Sequence, residues 1–328
     1  MKVVIARQLL QSGLDELDNS HEVVSGGLHG TRDALLDLVP GADAIISDPT
    51  VPVNFELLSA AGPQVKVVAN FAVGYDNIDL STCHDRGIVV TNTPDVLTNA
   101  TAELAVGLTL AAARQITDSE RRMRAGQWKG WDPADYLGFE LSGSTIGVVG
   151  MGRIGQRYAE LMSPFADRIL YTSRSSKPDL ESELQAHRVE LDELLEHADV
   201  VSLHVPATPE TNHLINARTL GLMKDTAILV NTGRGNLVDS EALAEALENG
   251  TVGAAGLDVY EGEPTVPQCL LDAPRTAMTP HIGSATHRSR DDMARLVARN
   301  VNGVLNGTGP VTKVETTRGF FSGPQADN

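Results

Sequence analysis

Three side chains of different chemistry follow predicted strands in the second half of the sequence: Arg234, Glu263 and His281. A glycine-rich segment with the pattern G-x-G-x-x-G precedes them at residues 150–155. Arginine provides a fixed cation whose planar fork fits a carboxylate, and an imidazole beside a carboxylate can donate a proton near neutral pH. Together these residues indicate hydride transfer from a dinucleotide to an anionic carbonyl compound.

The glycine-rich segment follows an apolar strand predicted at 145–149 and begins a predicted helix, and this context makes the pattern informative. Gly150 permits a tight turn, Gly152 lets the backbone approach a pyrophosphate, and Gly155 lets the helix pack closely on the strand. The N-terminus of the helix offers free N–H groups to the anion. We predict that the whole segment binds the dinucleotide: Gly150, Met151, Gly152, Arg153, Ile154 and Gly155.

The end of the next predicted strand bears on the choice of cofactor. An NAD site would carry an acidic residue there, but the sequence reads Ser173, Arg174 and Ser175. Hydroxyl groups and a guanidinium would bind the 2′-phosphate that a carboxylate would repel. We therefore predict that NADPH is preferred; the alternative is that Arg174 is a solvated surface residue and that NADH is used.

Arg234 lies between two glycines that let the backbone turn and present the guanidinium. It could bind a substrate carboxylate and polarise the neighbouring carbonyl, and a surface salt bridge is the alternative. A carboxylate against one ring nitrogen of His281 would fix its tautomer and favour its protonated form, leaving the other nitrogen to protonate a carbonyl oxygen. Glu263 is the predicted partner, with Glu261 as its rival. The other histidines are assigned no chemistry, although His204 is expected to border the cofactor.

The elements that hold these residues follow from the hydrophobic pattern. Short apolar runs alternate with helical patterns in both halves of the chain, which is typical of parallel sheets covered by helices. Strands are predicted at 3–5, 44–46, 67–69, 88–90, 145–149, 168–172, 200–204, 227–231 and 254–258. Helices are predicted at 13–18, 31–38, 54–60, 79–85, 153–162, 191–197, 216–224, 240–248 and 286–305.

Between the two halves, residues 95–116 predict a long apolar helix that is buried on most sides. Residues 121–141 are polar and predict an irregular arm that carries Trp128 and Trp131, while residues 318–328 predict a frayed tail.

The predicted fold class is α/β, with two doubly wound parallel-sheet domains: a Rossmann-type nucleotide domain inserted into a flavodoxin-like substrate domain. Residues 1–99 and 284–328 form the predicted substrate domain, and residues 100–283 form the dinucleotide-binding domain. A ligand is expected in the cleft between the two.

Composition narrows the class of partners. The formal charge is −17, from 26 basic and 43 acidic residues, which argues against binding to nucleic acid or to an anionic membrane. Two cysteines without C-x-x-C spacing predict neither disulfides nor a metal site and fit the reducing cytoplasm. The N-terminal apolar run is too short for a signal peptide, and no apolar stretch approaches the roughly 20 residues that span a bilayer.

Several motifs together resemble the D-2-hydroxyacid dehydrogenase family, and the resemblance covers nearly the whole chain. The motifs lie at residues 70–79, 150–155, 204–211, 231–235, 258–264 and 280–286. Within the family, the segments at 93–106, 171–174 and 281–288 are similar to those of glyoxylate/hydroxypyruvate reductases. The pair Trp128 and Trp131 is similar as well, and in such enzymes it implies a homodimer.

The resemblance implies roles for individual residues. Arg234 is the substrate anchor, His281 the proton donor and Glu263 its partner, while the backbone N–H groups of Val73 and Gly74 hold the substrate carboxylate. Ser284 is a further predicted substrate contact. The remaining predicted cofactor contacts are Val205, Pro206, Thr211, Thr232, Gly233, Arg234, Asp258, His281 and Gly283.

We therefore predict NADPH-dependent reduction of small 2-keto acids, glyoxylate and hydroxypyruvate first, to D-2-hydroxy acids. One alternative is an NAD-dependent D-2-hydroxyacid dehydrogenase of the D-3-phosphoglycerate or D-lactate type. The other is a non-enzymatic nucleotide sensor like the C-terminal-binding corepressors, which share this fold and these residue types.

Overall fold

The computed structural model describes residues 1–315, and the predicted tail at 318–328 lies outside this range. The chain packs as two compact units. Of the described residues, the outer unit comprises Met1–Leu97 and residues 286–315, and the inserted unit is Thr98–Ala285. The predicted domain limits, after residues 99 and 283, lie near these unit limits, and the division of roles between the domains stays a prediction.

The outer unit contains a five-stranded parallel sheet with the order β2-β1-β3-β4-β5. Its strands are β1 Lys2–Ile5, β2 Glu22–Ser25, β3 Ala44–Ser47, β4 Val67–Asn70 and β5 Val89–Thr91. The central strands β3 and β4 are buried throughout, as the interior of a parallel sheet should be. The sequence does not predict β2, because this edge strand is largely exposed and has no continuous apolar run. The strand order is that of flavodoxin-like folds, so the predicted fold of this unit is confirmed.

Polar caps determine where the helices of the outer unit begin. The side chains of Thr31, Asn54, Asp79 and Thr286 each accept a hydrogen bond from a backbone N–H in the first helical turn. The helices are α1 Gln11–Leu14, α2 Arg32–Leu38, α3 Phe55–Ala61, α4 Leu80–Asp85 and, after the inserted unit, α13 His287–Leu305. The first helix was predicted at 13–18, whereas α1 in the structure is shorter and begins at Gln11. Each of the other four predictions starts at the cap residue, one position before the helix itself.

The inserted unit contains a seven-stranded parallel sheet with the order β12-β11-β10-β9-β6-β7-β8. Its strands are β6 Ser144–Val149, β7 Ala166–Thr172, β8 Ala186–Arg188, β9 Val200–Leu203, β10 Ile228–Asn231, β11 Ala254–Leu257 and β12 Thr276–Met278. The chain winds outwards in both directions from β6, so the order reverses between β6 and β9, where doubly wound sheets bind their ligands. The predicted Rossmann-type fold is confirmed. The edge strands β8 and β12 are short and were not expected from the apolar pattern.

The helices of the inserted unit correct the prediction for residues 95–141. The backbone adopts a left-handed conformation at Gln115, with φ 51°, so the predicted long helix is two helices. Ion pairs such as Arg124 with Glu120 stabilise the second, which makes the start of the predicted arm helical. The helices are α5 Thr98–Ala113, α6 Ile116–Arg124, α7 Arg153–Met162, α8 Pro178–Glu183, α9 Leu191–His197, α10 Ala217–Leu220, α11 Ser240–Glu248 and α12 Gln268–Asp272.

The helix predicted at 216–224 ends early, at Leu220, and the short helices α8 and α12 were not predicted. Across residues 1–315, none of the helices combines the length and the apolar character needed to cross a membrane.

Candidate active site

The turn after β6 is shaped by its glycines. Gly150 has φ 99°, and a Cβ on Gly155 would lie 2.1 Å from the carbonyl oxygen of Gly150, so only glycine lets α7 approach the strand this closely. Gly152 faces open space, and no side chain caps the ten-residue helix α7 that follows it. The N-terminus of α7, where the positive end of the helix dipole lies, is therefore not capped by a side chain, and the turn fits the pyrophosphate of a dinucleotide.

The loop after β7 carries the three residues predicted to read the ribose. The Ser173 hydroxyl donates to the carbonyl oxygen of Ser175, while Arg174 is exposed. Arg188, at the end of β8, donates from Nε to the carbonyl oxygen of Ser173 at 3.0 Å. This second guanidinium was missed in the sequence, because nothing in the apolar pattern indicated that β8 lies beside β7.

Asn231 fixes the loop that carries Arg234. Its buried side chain donates from Nδ2 to the carbonyl oxygen of Arg234 (2.8 Å) and accepts from the N–H of Gly233 (3.0 Å). The half-buried guanidinium of Arg234 donates from Nη1 to the carbonyl oxygen of Gly233 (2.9 Å). The hydroxyl of Thr232 is buried and finds no hydrogen-bond partner among residues 1–315. A buried hydroxyl in this state fits a contact with a bound cofactor, as predicted for Thr232.

Glu263 and His281 form a hydrogen-bonded pair. The distance from Nδ1 of His281 to Oε2 of Glu263 is 2.6 Å, and Oε1 of Glu263 accepts from the N–H of Tyr260 at 2.9 Å. Burial acts to raise the pKa of Glu263, but these hydrogen bonds and the charges of His281 and Arg234 lower it below its usual 4.5. Glu263 is therefore an anion near neutral pH, and its hydrogen bond engages Nδ1 of His281 and not Nε2.

Glu261, the rival partner for His281, lies elsewhere. Its Oε1 is 2.6 Å from Nε2 of His213, and its Oε2 accepts from the N–H of Ser240. The side chain of Glu261 therefore has two defined partners, and His281 is not one of them.

Asp258 stabilises the loop that carries His281. This carboxylate is buried, with Oδ1 accepting from the hydroxyl of Thr279 and the N–H of Ile282, both at 2.7 Å. Oδ2 accepts from the N–H of Gly283 at 2.8 Å. Burial raises the pKa of Asp258, and the three hydrogen bonds oppose that rise. Asp258 thus stabilises the left-handed backbone at His281, where φ is 53°, and its predicted cofactor contact stays a prediction.

His204 is unsuited to proton donation. Its ring lies 5.1 Å from the ring of Tyr158, and Nε2 is 2.9 Å from the hydroxyl of Ser202. Burial lowers the pKa of His204 to about 3, so the imidazole is neutral at physiological pH. The next residue, Val205, packs against Gly150. Pro206 and Thr211 are tied together, because the Thr211 hydroxyl donates to the carbonyl oxygen of Pro206.

The outer unit carries the predicted carboxylate-binding loop. The carbonyl oxygens of Val73 and Gly74 accept hydrogen bonds from the side chains of Asn92 (2.8 Å) and Asn70 (2.7 Å). Within residues 1–315, the N–H groups of Val73 and Gly74 donate to no other group. Two adjacent donors on a fixed loop suit an anion. Ser284 lies in the turn that leads to α13 and is half-buried.

Three neighbouring strands of the inserted sheet deliver the predicted catalytic residues. Arg234 follows β10, Glu263 follows β11 and His281 follows β12, and these strands are adjacent and parallel. Their carboxyl ends share one edge of the sheet. A fixed cation and a histidine–carboxylate pair at this edge can stabilise charge on a carbonyl oxygen and protonate it.

A doubly wound sheet with an open glycine turn and this acid–base edge defines a nicotinamide-dependent oxidoreductase. The protein-family model described as "D-isomer specific 2-hydroxyacid dehydrogenase, NAD binding domain" matches residues 106–283. The chain belongs to the D-isomer-specific 2-hydroxyacid dehydrogenase family and is an NAD(P)-dependent oxidoreductase.

Individual relatives are similar over almost the whole chain. The glyoxylate reductase of Thermococcus onnurineus is 47% identical over 319 residues, which cover 95% of each chain. A solved structure of the TT0316 protein from Thermus thermophilus has a TM-score of 0.89 and 43% identity over 96% of this chain and 100% of its own. The NADPH-dependent glyoxylate/hydroxypyruvate reductase of Sinorhizobium meliloti, solved with NADP and malonate, has a TM-score of 0.85 and 34% identity, covering 96% and 97%.

Proposed function

We propose that this protein reduces small 2-keto acids, glyoxylate and hydroxypyruvate first, to D-2-hydroxy acids. The observation that carries the proposal is the 2.6 Å hydrogen bond between His281 and Glu263, at the sheet edge that also carries Arg234. Reduction of an anionic carbonyl compound needs a proton donor and a fixed cation. The similarity to glyoxylate reductases supports this substrate class.

In the proposed reaction, Arg234 pairs with the substrate carboxylate and polarises the C2 carbonyl. The nicotinamide cofactor, when bound, supplies the hydride. His281 donates the proton on Nε2 to the carbonyl oxygen, so that an O–H bond forms, the C=O bond becomes a single bond and the imidazole becomes neutral. Glu263 holds Nδ1 and keeps the ring in one orientation.

The backbone N–H groups of Val73 and Gly74 are proposed to bind a substrate carboxylate, and Ser284 to contact the substrate. The support for Val73 and Gly74 is that their carbonyl groups are fixed by asparagine side chains, while their N–H groups donate to no described residue. For Ser284 the support is its place in the turn directly after Gly283.

We further propose that NADPH is the preferred cofactor, with NADH used less well. Ser173, Arg174 and Ser175 provide hydroxyl groups and a cation where an acidic residue would favour NADH. The hydrogen bond from Arg188 to the backbone of Ser173 brings a second guanidinium to this loop, and a phosphate would attract both.

Arg174→Ala and Arg188→Ala are each expected to lower kcat/KM with NADPH by about 10-fold or more, since hydrogen bonds to charged groups contribute roughly 1.5–3 kcal/mol. The value with NADH should change by less than about threefold. Steady-state assays with both coenzymes measure this difference. Arg168→Ala, which removes an exposed arginine from the other end of β7, is the matched control. Equal losses with the two coenzymes would mean that neither arginine recognises the 2′-phosphate.

A homodimer is proposed from the exposed apolar side chains of the arm at residues 121–141. Trp131 is 85% exposed, Trp128 59% and Leu137 70%, and apolar side chains clustered at such exposure are typical of interaction surfaces. Sedimentation equilibrium should therefore give twice the chain mass of 34.9 kDa, and a monomer mass would contradict the proposal.

The cytoplasm is the proposed location of the protein. Cys83 and Cys269 are both free, Cys83 being buried, and burial raises the pKa of the Cys83 thiol to about 12. Such a thiol stays protonated and unreactive, which suits a reducing compartment in which disulfides do not form.

A panel of 2-keto acids, followed by nicotinamide absorbance with both coenzymes, tests the function directly. Glyoxylate and hydroxypyruvate are expected to give the highest kcat/KM, and NADPH to exceed NADH. Faster turnover of pyruvate or of a phosphorylated substrate with NADH would favour the D-lactate or D-3-phosphoglycerate type. Nucleotide binding without turnover of any keto acid would favour the corepressor-like alternative.

A further inference from the structure

A second histidine–carboxylate pair, His213 with Glu261, lies in the inserted unit and takes no part in the proposed reaction. We infer that this pair is a positioning device: it ties the loop bearing Glu263 to the loop bearing Arg234 and keeps the two groups in register. Because it concerns the groups that would act on the substrate, this inference rests on the proposed function.

One carboxylate joins three segments of the chain. Oε1 of Glu261 lies 2.6 Å from Nε2 of His213, and Oε2 accepts from the N–H of Ser240, the first residue of α11, at 3.2 Å. Glu261 stands two positions before Glu263, so its anchoring limits the movement of the loop that presents Glu263.

The backbone around His213 is bonded to the segment that follows Arg234. The N–H of His213 donates to the carbonyl oxygen of Asn236 at 2.8 Å, and the N–H of Ile215 donates to that of Leu237 at 2.9 Å. The N–H of Asp239 donates in return to the carbonyl oxygen of Ile215 at 2.8 Å. His213 therefore moves with the Arg234 loop.

The two loops also touch directly. A Cβ on Gly235, the residue after Arg234, would lie 1.9 Å from the carbonyl carbon of Tyr260 and 2.4 Å from the nitrogen of Glu261. Only a glycine allows this approach, so the two loops are closely packed next to the pair. Loss of the hydrogen bond between His213 and Glu261 should therefore displace both loops.

The ionisable groups acting on His213 are Glu261 and Asp239, whose Oδ2 lies 3.9 Å from Nδ1. The hydrogen bond that Glu261 accepts from His213 raises the pKa of His213 above 6.5, burial opposes that rise, and the charges of Glu261 and Asp239 assist it. Burial tends to raise the pKa of Glu261, but its hydrogen bonds with His213 and Ser240 lower it. A raised histidine pKa means that the charged pair is complete below pH 6.5 and is lost as pH rises through the folded-state value.

His213→Asn separates positioning from folding. Asparagine tolerates the left-handed conformation of residue 213, where φ is 49°, but it cannot take up a proton. The test compares wild-type and variant kcat/KM as a ratio, measured with the best 2-keto acid from pH 6 to pH 9, because pH effects common to both proteins cancel in it. We expect a ratio of about 10 at pH 6, which falls as pH rises and the wild-type pair loses its charge.

Glu261→Gln is expected to show the same pH-dependent ratio, and the double variant should be no worse than either single variant. Glu261→Gln also carries the test if the His213 variant fails to fold, as judged by thermal unfolding. His197→Asn, which changes an exposed histidine at the end of α9, should give a ratio near 1 throughout. A ratio that does not change with pH, whatever its size, would overturn the inference. An inactive wild type would instead reject the proposed function, and the inference with it.

Discussion

Replacing Arg234 with alanine is expected to lower kcat for glyoxylate by about 10²–10³-fold, and kcat/KM by more. The loss in kcat arises because a preorganised donor aimed at the developing oxyanion is worth roughly this factor. The additional loss in kcat/KM arises because the bidentate pair with the substrate carboxylate also disappears. Steady-state kinetics over a range of glyoxylate concentrations separate the two contributions.

Arg234→Lys is the matched variant, because it keeps the positive charge and removes the planar fork. An intermediate loss is expected from it. Thermal unfolding of both variants checks that the protein still folds, and Asn231 still binds the backbone of residue 234 in each of them. If Arg234→Ala raises KM and leaves kcat unchanged, the guanidinium binds substrate without polarising the carbonyl.

Replacing His281 with asparagine is expected to lower kcat by about 10²–10⁴-fold, the usual contribution of a positioned general acid. Asparagine is the suitable replacement, because residue 281 has φ 53° and asparagine adopts this conformation more readily than most residues. Single-turnover kinetics measure the chemical step. A variant that keeps kcat within about tenfold would show that another group supplies the proton.

Glu263→Gln completes the test of the pair. The lowered pKa of Glu263 keeps this carboxylate charged across the assay range, so the titration of Glu263 does not contribute to the pH–rate profile. Without its charge, the protonated imidazole loses a stabilising partner, and the rate of reduction should begin to fall at a lower pH than in the wild type. A pH–rate profile that does not move would remove Glu263 from the mechanism.

Much of the fold could be predicted from local pattern. The buried strands β3, β4, β6, β9 and β10 are mostly apolar, and polar caps such as Thr31 and Asn54 mark helix starts within the sequence itself. The edge strands β2, β8 and β12 escaped prediction because half-exposed backbone needs no apolar run. The break at Gln115 escaped prediction because a residue other than glycine there adopts a left-handed conformation, for which the apolar pattern gives no sign.

The candidate site divides in a similar way. Residue types and motifs pointed to Arg234, Glu263 and His281, because their chemistry is visible one residue at a time. The choice between Glu261 and Glu263 as the neighbour of His281 depends on which carboxylate the loop turns inwards, and that is a property of tertiary structure. Arg188 binds the backbone of Ser173, and Asp258 binds the backbone N–H groups of residues 282–283. Contacts with backbone groups do not depend on the type of the partner residue, so the sequence does not indicate them.

The proposed acid–base groups and the phosphate turn all belong to one continuous stretch of gene, Thr98–Ala285, whereas the loop of Val73 and Gly74 is encoded outside it. The groups proposed for hydride and proton transfer would then be inherited together, while part of the proposed carboxylate-binding surface could vary separately. For an engineer, libraries confined to the outer unit would leave the sequence of the proposed hydride- and proton-transfer groups unchanged.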